Sequence, residues 1–215
     1  MSDPDLDSHL DELLPLIRRE ATGDAFLFDP KTLKGSTRHY FKEYPAWLGI
    51  DEKVLPRERI WIHADHEHPA SIERRTVTYE SRTVEEFALY INNGLYRSRE
   101  AVKMALAHEV THLYLMLNGH QAPLGDTGRV SETEEIRTDV ASIVLGFGKL
   151  VLNGVCAFKE LHLKDGYDAR LSYLPSSSFS YLYQKVNDLM DVPDAVATEG
   201  LNKAALRELA GGTSE

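Results

Sequence analysis

The sequence predicts an α+β fold in which a small antiparallel or mixed sheet packs on a mainly helical core. Residues 59–63, 75–79 and 87–91 are rich in β-branched and aromatic side chains, which is typical of short strands. Apolar helical patterns follow over residues 98–117 and 131–152. The chain has 215 residues, of which 42% are hydrophobic and 27% charged, so its core is large enough to surround a buried site.

The N-terminal part begins with a helix. The spacing of the leucines between residues 10 and 14 predicts this helix, and Pro15 limits or kinks it. The ends of the chain, residues 1–7 and 211–215, are expected to be disordered. With no internal repeat and no long linker, residues 1–215 are expected to form a single minimal domain.

The two long helices have recognisable ends. The first begins at Ser98, a favourable N-cap residue, and Asn118-Gly119 is a favourable helix stop. The second begins at Ser131 and is predicted to end at Asn153-Gly154. This second helix is apolar nearly all round after its first turns, so it is expected to be central and buried.

Weaker helical segments follow over residues 178–190 and 197–209. Within the second long helix, Gly146 and Gly148 would let another helix approach closely. Cys156 is the one cysteine, which excludes an internal disulfide, and its apolar neighbours predict a buried, inert thiol.

The charge of the chain argues against several partners. The net charge is −10, from 34 acidic and 24 basic residues, and there is no basic stripe of the kind that binds nucleic acid. No apolar run reaches the roughly 18–20 residues that span a membrane, and the start lacks the pattern of a secretory signal. A cytoplasmic protein with neither a nucleic-acid nor a membrane partner is therefore expected.

The first long helix contains a metal-binding pattern, His108-Glu109-Val110-Thr111-His112. Histidines four residues apart share one helix face, so both rings can reach a single cation. Glu109 is placed to approach that cation without ligating it, as a base for water activation must be. The alternative is two histidines on an ordinary amphipathic helix. The apolar neighbours disfavour it, because buried imidazoles and a buried carboxylate need partners.

The second long helix offers the third ligand. Glu134 follows Ser131 with the spacing of a capping box, which gives it a structural role. Glu135 and Asp139 share a face, so Glu135 can ligate the ion while Asp139 accepts the outer N–H of a ligand histidine. The alternative is a solvated acidic helix start, which is the favoured interpretation of Glu132 and Glu134.

His-Glu-x-x-His followed 23 residues later by Glu-x-x-x-Asp resembles the gluzincin class of zinc metallopeptidases, of which thermolysin is a familiar member. The pattern also resembles small bacterial metallopeptidase-like proteins. The resemblance implies a zincin-like core with the motif helix at the active-site cleft, and Zn²⁺ as the cofactor. It makes His108, His112 and Glu135 the ligands, Glu109 the catalytic base and Asp139 a residue that holds a ligand.

Such enzymes often add a donor for the developing oxyanion. Tyr173 or Tyr181 is favoured here over Tyr183, His120 and His162, although aromatic packing between helices is the favoured interpretation of each residue taken alone. By the same resemblance, residues 87–91 could bind an extended peptide by pairing at a strand edge, although a strand of the core would look the same in sequence.

The expected function is therefore a zinc-dependent hydrolase that cleaves peptide bonds of a cytoplasmic protein or peptide. Two alternatives stay open: a non-catalytic zinc-binding module and a metallohydrolase of a non-peptide amide. The histidine-rich tract 63–68 could bind a second metal, but a solvated loop is favoured.

Overall fold

The structure is a computed structural model that describes residues 3–16, 22–34, 37–51, 60–63, 69–79, 82–121, 130–165 and 171–211. Its helices, in chain order, are α1 (Asp3–Leu13), α2 (Thr37–Trp47), α3 (Arg99–Leu117), α4 (Glu132–Ser142), α5 (Gly148–Asp165), α6 (Ser176–Leu189), α7 (Asp194–Thr198) and α8 (Lys203–Leu209). Its strands are β1 (Ile60–His63), β2 (Ala70–Tyr79) and β3 (Arg82–Asn92). The predicted α+β class is confirmed.

The three strands form one mixed sheet in the order β1-β3-β2. β1 runs parallel to β3, and β2 runs antiparallel to it. Each strand overlaps a segment that the sequence predicts, but β2 and β3 are longer than expected, at 10 and 11 residues. The sheet therefore consists mainly of two long strands, and β3 lies in its centre.

This strand order corrects the prediction that residues 87–91 bind a peptide at an edge. Leu89, Tyr90 and Ile91 pair with β1 on one side and with β2 on the other. Both edges of this part of β3 are therefore filled by backbone hydrogen bonding. The prediction was wrong because local composition identifies a strand without revealing its neighbours in the sheet.

Helix α3 lies in the middle of the protein. The Ser98 hydroxyl accepts a hydrogen bond from the backbone N–H of Ala101 at 3.2 Å, as the predicted N-cap requires. Nearly every side chain from Ala101 to Leu115 is buried, because α2, α4, α5 and β2 all pack against this helix. A helix surrounded on all sides provides a dry environment for the polar residues that it carries.

A single π-type turn, Ile143–Phe147, joins α4 to α5 within one long helical run. Gly146 adopts a φ of +92° there, a conformation that favours glycine. Within this turn, the carbonyl oxygens of Leu145 and Gly146 accept hydrogen bonds from residues of the N-terminal part of the chain. Trp47 Nε1 donates to the Leu145 oxygen at 2.8 Å, and the Phe28 N–H donates to the Gly146 oxygen at 2.9 Å.

The predicted helix end at Asn153-Gly154 was wrong, because α5 continues to Asp165. Gly154 lies where α5 crosses α3, and a Cβ at this position would come within 2.3 Å of the Met104 Cβ. The Asn153 side chain binds the backbone of Gly200 and Asn202. Asn153 and Gly154 therefore make contacts between separate segments of the chain, although Asn-Gly is a common helix stop.

The joined helical run is also the chain's one candidate for a membrane span among the described residues. Glu132–Lys159 is long and apolar enough by length and composition, but 89% of its most apolar window is buried inside the protein. The buried core helix of a folded domain has the same properties.

Two further expectations are corrected near the ends. Residues 3–7 were expected to be disordered but belong to α1, whose Leu6 and Leu10 are fully buried. The helix predicted over 197–209 is two helices, α7 and α8, separated at Gly200, where φ is +83°. Cys156 is buried, as predicted.

Candidate functional site

Helix α3 presents His108, Glu109 and His112 on its buried surface. The two imidazole rings lie one helical turn apart, with their centroids 4.6 Å from each other and their planes at 80°. His108, Glu109 and His112 are only 8%, 7% and 4% exposed. Three polar side chains therefore share a nearly dry space, in which each needs a partner.

Helix α4 brings Glu135 to both histidines. Its Oε2 lies 3.0 Å from Nε2 of His108 and 3.2 Å from Nε2 of His112. The Ser131 hydroxyl accepts from the backbone N–H of Glu134 at 3.2 Å, which caps α4 at the predicted residue and sets its first turn. The start of α4 thus delivers one carboxylate oxygen to both Nε2 atoms.

These donors fit a divalent ion. Potential ligand atoms of His108, His112 and Glu135 all lie within 4.8 Å of one another. In a tetrahedral zinc site with bonds of 2.0–2.1 Å, neighbouring donor atoms stand about 3.3 Å apart. The two nitrogen–oxygen distances, 3.0 and 3.2 Å, are close to that separation. A small expansion of the group would accommodate zinc.

The outer nitrogen of His108 binds a buried carboxylate. Asp139 Oδ1 lies 2.9 Å from its Nδ1. The other oxygen, Oδ2, accepts from the Ser172 hydroxyl at 2.9 Å and from the Tyr173 backbone N–H at 3.2 Å. Because an ionised carboxylate only accepts, Nδ1 of His108 carries the proton and Nε2 is left to bind a metal.

The outer nitrogen of His112 has neutral partners. Its Nδ1 lies 3.1 Å from Gln121 Oε1 and 3.0 Å from the Thr138 hydroxyl. The hydroxyl donates to the Glu134 carbonyl oxygen at 2.8 Å, so its lone pair faces His112. No motif in the sequence had singled out Gln121, Thr138 or Ser172. The helix stop at Asn118-Gly119, which returns the chain towards His112, is the signal that could have identified Gln121.

The histidines and carboxylates of this group shift one another's pKa values. Burial disfavours a charged His108, but the hydrogen bonds that it donates to Asp139 and Glu135 outweigh this effect and raise the pKa of His108 well above its ordinary value. Burial also opposes ionisation of Glu135, but hydrogen bonds from both histidines outweigh it and hold the Glu135 pKa far below its ordinary value.

Glu109 stays beside the ligands without joining them. Burial raises the pKa of its carboxyl, which His112 and His108 partly oppose. The backbone N–H of Ile72 on β2 faces this carboxyl and also lowers its pKa. A buried carboxyl with a raised pKa next to a cation site is suited to accepting and releasing protons.

The edge of β2 that faces Glu109 can be derived from the register. The Asn92 N–H donates to the Pro69 oxygen at 2.9 Å, so this opposed pair is hydrogen-bonded. Hydrogen-bonded pairs alternate along an antiparallel ladder, so Ile72, opposite Leu89, points its backbone groups away from β3. In the described part of the chain, no strand pairs with this outer edge of β2.

Comparison with family models, curated proteins and solved structures gave no match.

The candidate oxyanion donors lie in different surroundings. Tyr173 is next to the site, because its backbone N–H binds Asp139. The structure does not bring the Tyr181 hydroxyl to the ligands: it donates to Asp7 Oδ1 at 2.7 Å and accepts from Lys185 at 3.3 Å. Tyr183 is buried, and its hydroxyl donates to the Ala197 carbonyl oxygen at 2.7 Å.

The other residues singled out in the sequence lie apart from the ligands or outside the described atoms. Glu132 is exposed, and the Glu134 carboxylate lies 3.7 Å from Arg137 rather than in the metal group. The side chain of His120 is exposed. Most of the tract 63–68 and the side chain of His162 lie outside the part of the protein that is described.

Proposed function

We propose that this protein is a zinc-dependent hydrolase that cleaves peptide bonds. The observation that carries the proposal is the convergence of His108 and His112 Nε2 on Glu135, while Asp139, Gln121 and Thr138 bind the outer nitrogens. The group of potential ligands within the described residues has three members. A zinc site with three protein ligands keeps a position for solvent or substrate, as catalytic sites do, whereas structural sites use four.

Each residue then has a defined chemical task. A bound zinc ion supplies Lewis-acid chemistry, lowering the pKa of water and polarising a carbonyl group. Glu109 takes the proton of the attacking water and passes it to the leaving amine. The buried position of Glu109 beside both histidines supports this task, since its carboxyl lies next to the candidate ligands and is not one of them.

A peptide is the favoured substrate because of the outer edge of β2. No strand of the described residues pairs with this edge, and the edge passes beside Glu109, so an extended chain paired along it would run past the base. The same arrangement, with a strand edge beside the motif helix α3 and a glutamate ligand from α4, supports a zincin-like core.

Metal analysis tests the proposal directly. We expect the purified protein to bind about one zinc ion per chain, and the His112→Ala variant to lose it. His39 is an exposed histidine on α2, so His39→Ala is a matched control that should keep the metal. A wild-type protein that binds no zinc at micromolar concentrations would overturn the proposal.

Activity separates catalysis from a structural metal. Glu109→Gln should keep zinc and lose at least a hundredfold in the rate of peptide cleavage, because general-base catalysis contributes about 10²–10⁴-fold. Glu132→Gln, an exposed change on α4, is the control. Zinc bound by a fourth protein ligand would instead identify a non-catalytic module, and cleavage of small amides but not peptides would select the amide hydrolase.

A further inference from the structure

We propose that Gln121 is a positioning residue that fixes the tautomer of His112, and that Arg137 holds Gln121 in place. This inference rests on the proposed metal site, and it assigns the tautomer of His112 to a residue just beyond the end of α3. Gln121 is 7% exposed, and its side-chain oxygen lies 3.1 Å from Nδ1 of His112. It sits outside the His-Glu-x-x-His pattern and outside α4.

The backbone after α3 explains how Gln121 reaches His112. The Gly119 N–H donates to the Met116 oxygen at 3.2 Å, and the His120 N–H donates to the Leu115 oxygen at 2.8 Å. This pair of bonds is a Schellman motif, and it requires the positive φ of +71° at Gly119. The motif reverses the direction of the chain directly after α3. Gln121, which follows His120, therefore lies back against α3 beside His112.

A side chain from α4 then fastens this reversed segment. Arg137 donates from Nη1 to the His120 carbonyl oxygen, directly before Gln121. Its other terminal nitrogen, Nη2, binds Glu12 on α1 at 2.7 Å. Only 13% of the Arg137 side chain is exposed. The guanidinium therefore joins α1, α4 and the end of α3 next to the residue that contacts His112.

The chemistry at His112 differs from that at His108. The acceptor for His108 is a carboxylate, whereas the acceptors for His112 are an amide oxygen and a hydroxyl. A neutral acceptor fixes the Nδ1–H tautomer without adding a negative charge to a space that already holds three carboxylates. Nε2 of His112 faces the Glu135 carboxylate at 3.2 Å, so Glu135 competes with Gln121 and Thr138 for the single proton of the neutral imidazole. Without an acceptor at Nδ1, that proton would move to Nε2, and this nitrogen could no longer bind a metal.

The experiment measures the tautomer and the metal affinity separately. Gln121→Met keeps the length of the side chain and removes the acceptor, whereas Gln121→Glu keeps an acceptor. Gln184 is exposed on α6 and binds the Leu209 oxygen, so Gln184→Met is the matched control. Long-range proton–nitrogen NMR on metal-free protein reports the His112 tautomer, and competition with a chromophoric chelator gives the Zn²⁺ and Co²⁺ affinities.

We expect Gln121→Met to weaken metal binding about tenfold and Gln121→Met/Thr138→Val about a hundredfold, because the loss of outer partners costs 10–100-fold. The metal-free double variant should populate the Nε2–H tautomer. Gln121→Glu keeps an acceptor oxygen but adds a charge, so it should bind metal more tightly than Gln121→Met does, whereas a role in packing alone would favour the uncharged Met side chain. Should Gln121→Met not fold, Gln121→Asn withdraws the oxygen by one methylene and should weaken binding similarly.

The role of Arg137 is tested by comparing the effects of single and double variants on metal affinity. Arg137→Met should weaken metal binding in the same direction, and adding it to Gln121→Met should produce little further loss, since both act through one contact. Wild-type affinity and an unchanged tautomer in Gln121→Met/Thr138→Val would overturn the inference while leaving the metal site intact. Failure of the wild type to bind metal would overturn the proposed function instead, and the tautomer measurement would still decide the role of Gln121.

Discussion

One oxygen of the Asp139 carboxylate lies 2.9 Å from Nδ1 of His108, and its other oxygen binds the segment that follows α5. Asp139 is 1% exposed, so it has no access to solvent as an alternative partner. The carboxylate therefore couples the orientation of a ligand ring to the segment at Ser172 and Tyr173. This coupling leads to the first prediction.

Removing the Asp139 charge should weaken the metal site without abolishing it. Asp139→Asn keeps an acceptor oxygen but loses the negative charge that raises the basicity of His108, so zinc affinity should fall about 10–100-fold. Chelator competition measures this change. Asp188→Asn, an exposed substitution on α6, should leave the affinity unchanged. Equal affinities for Asp139→Asn and the wild type would show that the pair has no role in metal binding.

Metal removal should destabilise the fold. An ion that binds only the folded state adds about 4 kcal/mol to the free energy of unfolding when its free concentration is 1,000 times its Kd. A chelator should therefore lower the melting temperature of the wild type by several degrees. His112→Ala, which lacks a ligand, should melt at the same temperature with and without the chelator. A chelator effect of equal size in both proteins would contradict the assigned site.

Helix crossing at Gly154 gives a prediction about stability. Since a Cβ here would stand 2.3 Å from the Met104 Cβ and 2.9 Å from the Glu100 carbonyl oxygen, Gly154→Ala must push α5 away from α3. Overpacking of this kind costs about 1–3 kcal/mol. Urea denaturation measures the loss. A stabilised Gly154→Ala variant would indicate that the glycine is only a weak point in the helix.

The indole of Trp47 gives a prediction about the π-type turn. Trp47→Phe removes the donor to the Leu145 carbonyl oxygen, and an unpaired buried acceptor costs about 1–3 kcal/mol. The control is Tyr96→Phe, a change in an aromatic residue that is 40% exposed, which should have little effect. Similar urea midpoints for Trp47→Phe and the wild type would show that another group satisfies this carbonyl.

The buried tyrosines predict a loss of stability in alkali. Burial raises the pKa of Tyr183 well above its ordinary value, a shift that its hydrogen bond with Asn187 partly offsets. Burial also raises the pKa of Tyr44. In the unfolded chain both hydroxyls ionise from about pH 10, while the folded state keeps its protons, so unfolding becomes easier as the pH rises further. Urea titrations from pH 8 to 11 measure this slope.

Tyr183→Phe should flatten that alkaline slope. The substitution removes the hydrogen bond to Ala197, so it lowers stability at neutral pH by about 0.5–1.5 kcal/mol. The difference from the wild type should shrink above pH 10, because the variant has one fewer group that must stay protonated. A difference that is constant from pH 8 to 11 would contradict the shifted pKa.

Local signals in the sequence predicted the parts of the site that lie within single helices. The spacing of His108 and His112 fixes their shared face, and the cap at Ser131 distinguishes the roles of Glu134 and Glu135. The content of β-branched and aromatic residues identified the strands. In each case the signal lies in residues that are neighbours in the sequence, so no knowledge of the rest of the fold was required.

Contacts between distant segments were not predictable in this way. Gln121 meets His112 through a chain reversal, and the order of the strands depends on pairing that composition does not record. Gly154 resembles a helix stop because glycine serves both close approach and termination, and only the partner helix distinguishes the two. Tyr181 was a reasonable donor by type, but α1 supplies Asp7 as its partner.

The π-type turn between α4 and α5 has a consequence for attempts to isolate the metal-binding part. The carbonyl oxygens of Leu145 and Gly146 in this turn accept hydrogen bonds from Trp47 and from the backbone of Phe28, which lie more than 50 residues before His108 in the sequence. A fragment that begins at α3 would contain His108, His112 and Glu135, but these two carbonyl oxygens would lose their hydrogen-bond donors. Excision should therefore yield a peptide that cannot hold α4 in its native direction, and engineering of a minimal scaffold has to retain α2 and the segment before it.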